Sequence, residues 1–348
     1  MKRLNFYKRV AYFRAIWLLL FSAFLLLNMP CEGRTYKFGM IPWIAYSPLQ
    51  VAESKGFWRE LGVGVEVVSF STNPELYTAI ASSDIDLSMD MIGSMVGMYQ
   101  DGIPVVVLGE SDWSHGGDKV IVKRNLDFSR IKSKPIGVYL DKPSVTFFLN
   151  YFLKENNLKF SDTRTFELTM QELADNFISG NYSIILNCDP DALRAEHEGD
   201  GRLAATSADY DGCIPEGFVA RKDRLKNIPA DDLVKIFRGW ARAVGWIHDP
   251  QNWDEYRKLL NTKTFKDGEP LTDNDLKEMI RSVRIHPLDT QIRRNKQQEC
   301  LKKYLIDVEN FLKENHLLKR DYSLDEILDN KDLLKALELE KMGGRKKK

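Results

Sequence analysis

Short apolar runs alternate with amphipathic stretches along most of this chain, as strands and helices would in turn. Tyr36–Met40 reads as a strand. Ser47-Pro48 then opens a helix over Leu49–Glu60, with serine at the cap and proline in the first turn. Val63–Phe70 is rich in β-branched residues and predicts a second strand. A helix from Asn73 through Ala81, a strand at Ile85–Met89 and a helix over Ile92–Gln100 follow. Val105–Leu108 is wholly apolar, as a strand buried in a parallel sheet would be. After Lys119–Lys123 the alternation restarts. Strands are predicted at Ile136–Tyr139, Thr165–Leu168, Ile184–Leu186, Arg202–Thr206 and Gly217–Arg221, and helices at Ser144–Glu155, Met170–Ile178 and Ala192–His197.

Repeated β-α units imply parallel sheets with helices on both faces. Two such sets joined by the strand-like stretches Lys119–Lys123 and Gly217–Arg221 predict an α/β molecule of two lobes with a double-crossing hinge. Residues 34–120 with 218–335 would form one lobe and 121–217 the other. Beyond Leu225 the chain turns helical and charged, with helices expected at Asp231–Ile247, Asp254–Leu260, Asp273–Val283, Arg293–Asn315 and Leu324–Asp329. Residues 336–348 are expected to be a flexible tail.

The N-terminus departs from this pattern. Lys2, Arg3, Lys8, Arg9 and Arg14 precede the apolar run Ile16–Leu27, which ends at Pro30-Cys31-Glu32-Gly33. A basic region, an apolar stretch of roughly a dozen residues and a small-residue exit describe a secretory signal over residues 1–33. A membrane span needs roughly 20 apolar residues, more than this run supplies. Cleavage before Arg34 and lipidation at Cys31 both remain open, and a lipid there would be the only membrane attachment. The expected location is periplasmic or otherwise extracytoplasmic.

Without that segment 315 residues remain, enough for two ordinary domains, with 45 lysines and arginines against 49 aspartates and glutamates. The balance gives no electrostatic case for nucleic acid. Cys188, Cys213 and Cys300 are left, with no C-x-x-C spacing, so neither a zinc site nor a redox motif is expected. A Cys188–Cys213 disulfide stays open. The five histidines are scattered, and neither a nucleophile elbow nor a phosphate-binding glycine loop occurs. No catalytic residue, metal or cofactor is therefore expected.

Several stretches resemble the substrate-binding subunits of ABC importers of the nitrate/sulfonate/taurine class, a branch of the type II periplasmic binding fold. They are KFGMIPWIAYSPLQVAESKGFW, ELYTAIASSDIDLSMDMIGSM, GESDWSHGGDKVIVK, PIGVYLDKPSVTFFLNYFL, ELADNFISGNYSIILNCDPD and GRLAATSADYDGCIPEGFVARKDRL, in that order over nearly all of residues 35–335. The resemblance implies a monomeric receptor that gives a small polar or anionic solute to an ABC permease and its ATPase. One departure is Asn187-Cys188-Asp189-Pro190, where that family often has a tryptophan-acidic-proline turn. Some relatives of the fold are pyrimidine-synthesising enzymes, but their cysteine-rich motif is missing here.

Ligands in such folds sit beyond the carboxyl ends of the strands, which selects the strand-to-helix loops. Trp43 and Tyr46 would wall an apolar part of the ligand, and Ser47 would offer a helix N-terminus to an anion. Thr72 and Asn73 occupy the next loop, and Met91 and Ile92 the third, beside Asp90, Gly93 and Ser94. Asp112, Trp113 and Ser114 border the hinge, where carboxylate, ring and hydroxyl suit a cationic or amide group; Asp118 is read as steadying a glycine-rich bend. From the second lobe, Lys142 and Ser144 begin a helix suited to an anion, while Asn187 and Asp189 occupy the altered turn. Asp209 and Tyr210, near the return crossing, are weaker candidates. Stacking on Trp43, Tyr46 and Trp113 would instead favour an aromatic heterocycle. An exported sensor or an enzyme on the same fold are the remaining alternatives.

Overall fold

The apolar strand runs sort into two sheets. A computed structural model describes residues 34–128, 131–132 and 134–345, and Tyr36–Lys348 forms one compact unit. The predicted signal segment and Cys31 lie outside the described residues. The strands are β1 (Thr35–Met40), β2 (Gly64–Ser69), β3 (Leu87–Met91), β4 (Val105–Ser114), β5 (Asp118–Lys123), β6 (Pro135–Val138), β7 (Arg164–Glu167), β8 (Ile184–Cys188), β9 (Gly201–Thr206), β10 (Pro215–Arg221) and β11 (Val283–Ile285). The first sheet has the order β11-β4-β10-β3-β1-β2 and the second β7-β6-β8-β5-β9.

Each sheet is built from parallel strands with one antiparallel guest in its interior, and in the first sheet the short edge strand β11 also runs against β4. In the first, β1 and β3 are parallel and β10 runs against both β3 and β4. In the second, β6 is parallel to β7 and β8, and β5 runs against β8 and β9. Each guest is the strand that has just arrived from the other sheet. The chain leaves the first sheet after Ser114, joins the second at Asp118, and returns between Thr206 and Pro215. Lys119–Lys123 and Gly217–Arg221, expected as the hinge itself, therefore lie inside the sheets, and the crossings are residues 115–117 and 207–214. Their β-branched and apolar residues are what a fully paired interior strand requires.

Three helical expectations change. The Leu49–Glu60 helix is two, Pro48–Ser54 and Phe57–Glu60, because Gly56 between them adopts φ +71°. Asp273–Val283 stops at Arg281, and the β-branched Val283 and Ile285 leave it to extend the first sheet along β4. Arg293–Asn315 breaks around Cys300, whose φ −107° and ψ −119° are not helical. The expected tail is also revised. Lys331–Arg345 is helical, with Leu333, Ala336 and Leu337 at i, i+3 and i+4 buried against the first sheet's helical layer.

One face of the first sheet carries a core built on Phe38, Trp58, Phe218, Phe237 and Trp240. A second core runs without a break from the opposite face to the second sheet, through the helices Ile92–Gln100, Pro143–Glu155 and Lys303–Glu314. Opening that apolar seam would expose Met95, Phe148 and Leu305 to water, so it fixes how the rims of the two sheets meet.

Candidate functional site

Two polar rims arise from this topology. The carboxyl ends of β3 and β4 and the first residues of β10 bring Asp90, Asp112 and Glu216 to one edge, while the start of β5 and the ends of β6 and β8 bring Asp118, Tyr139 and Cys188 to the other. The rims approach closely: the Tyr139 hydroxyl lies 3.7 Å from Met91 Sδ.

All four carboxylates are buried. Asp112 and Glu216 are direct cross-strand neighbours. Asp112 Oδ2 accepts from Ser111 Oγ at 2.6 Å, and Glu216 Oε2 accepts from Trp43 Nε1 at 2.9 Å. Asp90 Oδ1 accepts the Met91 N–H at 2.6 Å. Asp118 Oδ1 accepts from the Tyr139 hydroxyl and faces Cys188 Sγ at 3.8 Å. Every one of these donors is neutral. Asp90 Oδ2 and Asp112 Oδ1 are buried with no hydrogen-bond partner among the described residues. The neighbouring cations pair elsewhere: Lys119 with Asp189, Lys142 with Asp101, Arg294 with Glu110.

Acidities follow from this arrangement. Burial pushes the Asp90 carboxyl up to about 7, with partial relief from the Met91 N–H and the Tyr77 hydroxyl. Burial likewise raises Asp118 against the hydroxyls of Ser114 and Tyr139 and the Cys188 thiol. Glu216 is driven well above the carboxylate range by burial and by the Asp112 charge, and Asp112 is raised as well. Both carboxyls of the pair are raised because two carboxylates side by side in an apolar setting resist ionising together. Tyr46, wholly buried, feels Glu216, Asp90 and Asp112 together, and burial with these charges raises its hydroxyl too.

Five of the residues singled out from sequence meet at this centre: Trp43, Tyr46, Met91, Asp112 and, through Asp118, Ser114. The Trp43 ring lies over the crossing, where a Cβ on Gly117 would come within 2.8 Å of it. The others are engaged differently. Ser47 is buried, donates to the Ile44 carbonyl at 2.7 Å and pairs with the Tyr256 hydroxyl at 2.7 Å, so its hydroxyl makes no cap bond to the helix that follows. Thr72 is exposed and caps its own helix, Asn73 reaches Tyr77, and Ile92 is core. Trp113 donates to Glu110 at 2.7 Å and lies under the Arg294 guanidinium.

The Lys142–Ser144 helix start, expected to hold an anion, is filled by protein. Ser144 Oγ pairs with Ser94 Oγ at 2.6 Å, and a Cβ on Gly93 would fall 2.6 Å from the Ser144 nitrogen. Asn187 is buried, donating to the Met170 carbonyl and accepting the Cys188 N–H; Asp189 takes the Lys119 ammonium. Asp209 closes a turn onto Thr206, and Tyr210 stacks on Tyr151. Cys188, Cys213 and Cys300 are free thiols.

Sequence reasoning missed Glu216, Tyr139 and Tyr77, and gave Asp118 to structure. A signal did exist: Asp90 and Glu216 are acidic residues among mostly apolar neighbours in buried strands, where an unpaired charge is rare. A separate groove of about 540 Å³, lined by Ile247, Trp253, Tyr256, Ile280, Val283 and Arg284 among others, includes none of the four carboxylates. No helix among the described residues is long and apolar enough to cross a membrane.

The profile of the NMT1-like family matches residues 30–261, and the chain belongs to that family. The Bacillus subtilis (strain 168) protein named "Putative binding protein YtlA" is 25% identical over 246 residues, covering 68% of this chain and 70% of that protein. Among solved structures, the alkanesulfonate-binding protein SsuA of Xanthomonas axonopodis pv. citri superposes with a TM-score of 0.66 at 15% identity, covering 86% of this chain and 99% of that one. The nitrate-binding protein NrtA of Synechocystis PCC 6803 superposes with a TM-score of 0.61 at 16% identity, covering 88% and 89%. The fold is thus the one shared by these solved binding proteins and by the ligand-binding component of an ABC-type import system from Staphylococcus aureus.

Proposed function

We propose that this member of the NMT1-like family is the extracytoplasmic receptor of an ABC importer, closing two lobes about the 115–117 and 207–214 crossings onto a small polar solute. The first lobe is the β1–β4 and β10–β11 sheet with its helices, and the second the β5–β9 sheet. One observation supports this most: two rims from separate sheets, linked by the strand crossings and by the apolar seam between their helices, bring buried polar groups face to face. A closed arrangement of that kind is stabilised when a ligand touches both rims at once. A permease with its ATPase would then read the closed form.

Sulfonate and nitrate are what the neighbours' names carry. The aromatic wall of Trp43, Tyr46 and Tyr139 beside carboxylates favours a second reading, a nitrogen-containing heterocycle. Small-angle X-ray scattering with and without methanesulfonate, taurine, nitrate and 4-aminopyrimidine tests the receptor role. The expected result is contraction with at least one solute, accompanied by a rise in melting temperature; a solute at about a hundred times its Kd stabilises by roughly 2.7 kcal/mol. Tight binding without contraction would count against closure.

A further inference from the structure

We infer that the cleft takes an organic cation, whose N–H groups meet Asp90 Oδ2 and Asp112 Oδ1 and whose body lies against Trp43, Tyr46 and Tyr139. The inference deepens the receptor reading and rests on it.

The argument is one of completeness. A buried carboxylate is retained where something pairs with it, because leaving it unpaired is costly. Elsewhere in this protein that rule is kept: Glu110 has Arg294, and Asp86 has Arg224. At the rims it is not. Four carboxylates from both sheets converge, and among the described residues two of their oxygens accept nothing and no lysine or arginine pairs with any of them. A ligand with N–H donors and positive charge would complete them. Orphaned acceptors call for N–H groups, which a quaternary ammonium lacks. A sulfonate or nitrate would add like charge to this centre, and the helix start that would hold an anion is already closed by Ser94 and Gly93.

The walls agree. Cations sit over Trp113, Trp246, Trp253 and Tyr99, whereas among the described residues no such contact occupies Trp43, Tyr46 or Tyr139. Aromatic faces next to carboxylates hold a flat or alkylated cation by its charge and its surface together.

The groups facing the site fix its pH dependence. Asp90 is met by the Met91 N–H, Tyr77 and Tyr46; Asp112 by Ser111, Glu216, Glu110 and His286. Asp118 is met by Ser114, Tyr139 and Cys188, and Glu216 by Trp43, Asp112 and Asp118. His286 among these belongs to the Glu110 cluster, its Nε2 lying 3.0 Å from Glu110 Oε1. Cation affinity therefore rises as pH increases through about 7, where Asp90 ionises.

Three probes of one shape test the inference by calorimetry on the purified protein: benzamidinium, benzamide and benzoate, with methanesulfonate as a fourth. At pH 8 benzamidinium is expected to bind at least about tenfold more tightly than benzamide, with no detectable benzoate binding, and the preference shrinks at pH 6. Asp90→Asn is expected to cost at least about tenfold in benzamidinium affinity with the fold intact by circular dichroism. Absence of benzamidinium binding, indifference to Asp90→Asn, or tighter binding of benzoate than of benzamidinium overturns the inference. Methanesulfonate binding with contraction, and benzamidinium binding without, would overturn it while leaving the receptor reading in place; contraction with no solute would remove the receptor reading itself.

Discussion

Glu110 and Asp112 stand two residues apart on β4, both buried, and the protein surrounds them in opposite ways. Glu110 accepts from Trp113 Nε1 at 2.7 Å and from Arg294 Nε at 2.6 Å, with His286 Nε2 at 3.0 Å, while Asn295 bonds its backbone on both sides at 2.8 Å. Burial would push that carboxyl up, but His286 and Arg294 together hold it below the ordinary value. Asp112 receives one hydroxyl and a neighbouring acid, and burial raises it. The first region is finished within the chain: it fastens the Leu288–Lys296 helix to the strand that leads into the crossing. The second keeps a buried oxygen, Asp112 Oδ1, with no partner among the described residues, as the proposed cation site requires.

The two regions have opposite pH signatures. Glu110, with a lowered folded value, adds stability above its unfolded value of about 4.5, and that stability is lost as pH falls through the folded value. Asp90 does the reverse. Its folded value of about 7 exceeds the unfolded value near 4, so it costs nothing in acid, costs progressively more between pH 4 and 7, and carries its full penalty above 7.

Substitutions separate the two regions further. The largest expected effect is Glu110→Ala, which strands Arg294 and should destabilise by about 3–5 kcal/mol in urea unfolding. Glu216→Gln should work in the other direction. It keeps an acceptor for Trp43, removes one acid of the pair, and should stabilise the ligand-free protein at pH 8 on the order of 1–2 kcal/mol. A destabilised Glu216→Gln would place Glu216 with Glu110 among structural groups.

Why Glu110 read as nothing in particular and Asp112 as a candidate is instructive. The alternation of apolar runs was enough to place both sheets, because strands covered on both faces must be apolar wherever they occur in the chain. The break at Gly56 and the strand at Val283–Ile285 depend on tertiary contacts, and propensity alone does not show them. In the candidate site, loop position singled out Trp43, Tyr46, Met91 and Asp112, which meet at the rims. It also singled out Ser47, Lys142 and Ser144, which pair elsewhere. A serine before a helix reads as an anion site, but here Tyr256, Asp101 and Ser94 already take those side chains. Glu216 and Asp118 were hidden for a related reason: each sits on the guest strand of its sheet, whose neighbours only the folded topology reveals.

Two smaller effects sharpen the comparison. Trp43→Phe keeps an aromatic wall but removes the donor to Glu216, and should weaken benzamidinium about fivefold, the worth of one hydrogen bond. Ser144→Ala should cost about 1 kcal/mol or less in stability and leave the affinities of all four probes unchanged, since its hydroxyl is spent on Ser94.

The most direct test needs no ligand. Urea unfolding of the wild type and Asp90→Asn between pH 5 and 8 measures whether the cleft acids are held at a cost. The account predicts that Asp90→Asn gains stability relative to wild type steadily as pH rises to about 7 and holds that advantage at pH 8. A difference that stays constant with pH, or one in which the wild type gains as pH rises, would mean that Asp90 is already neutralised within the fold and that the cleft does not wait for a cation.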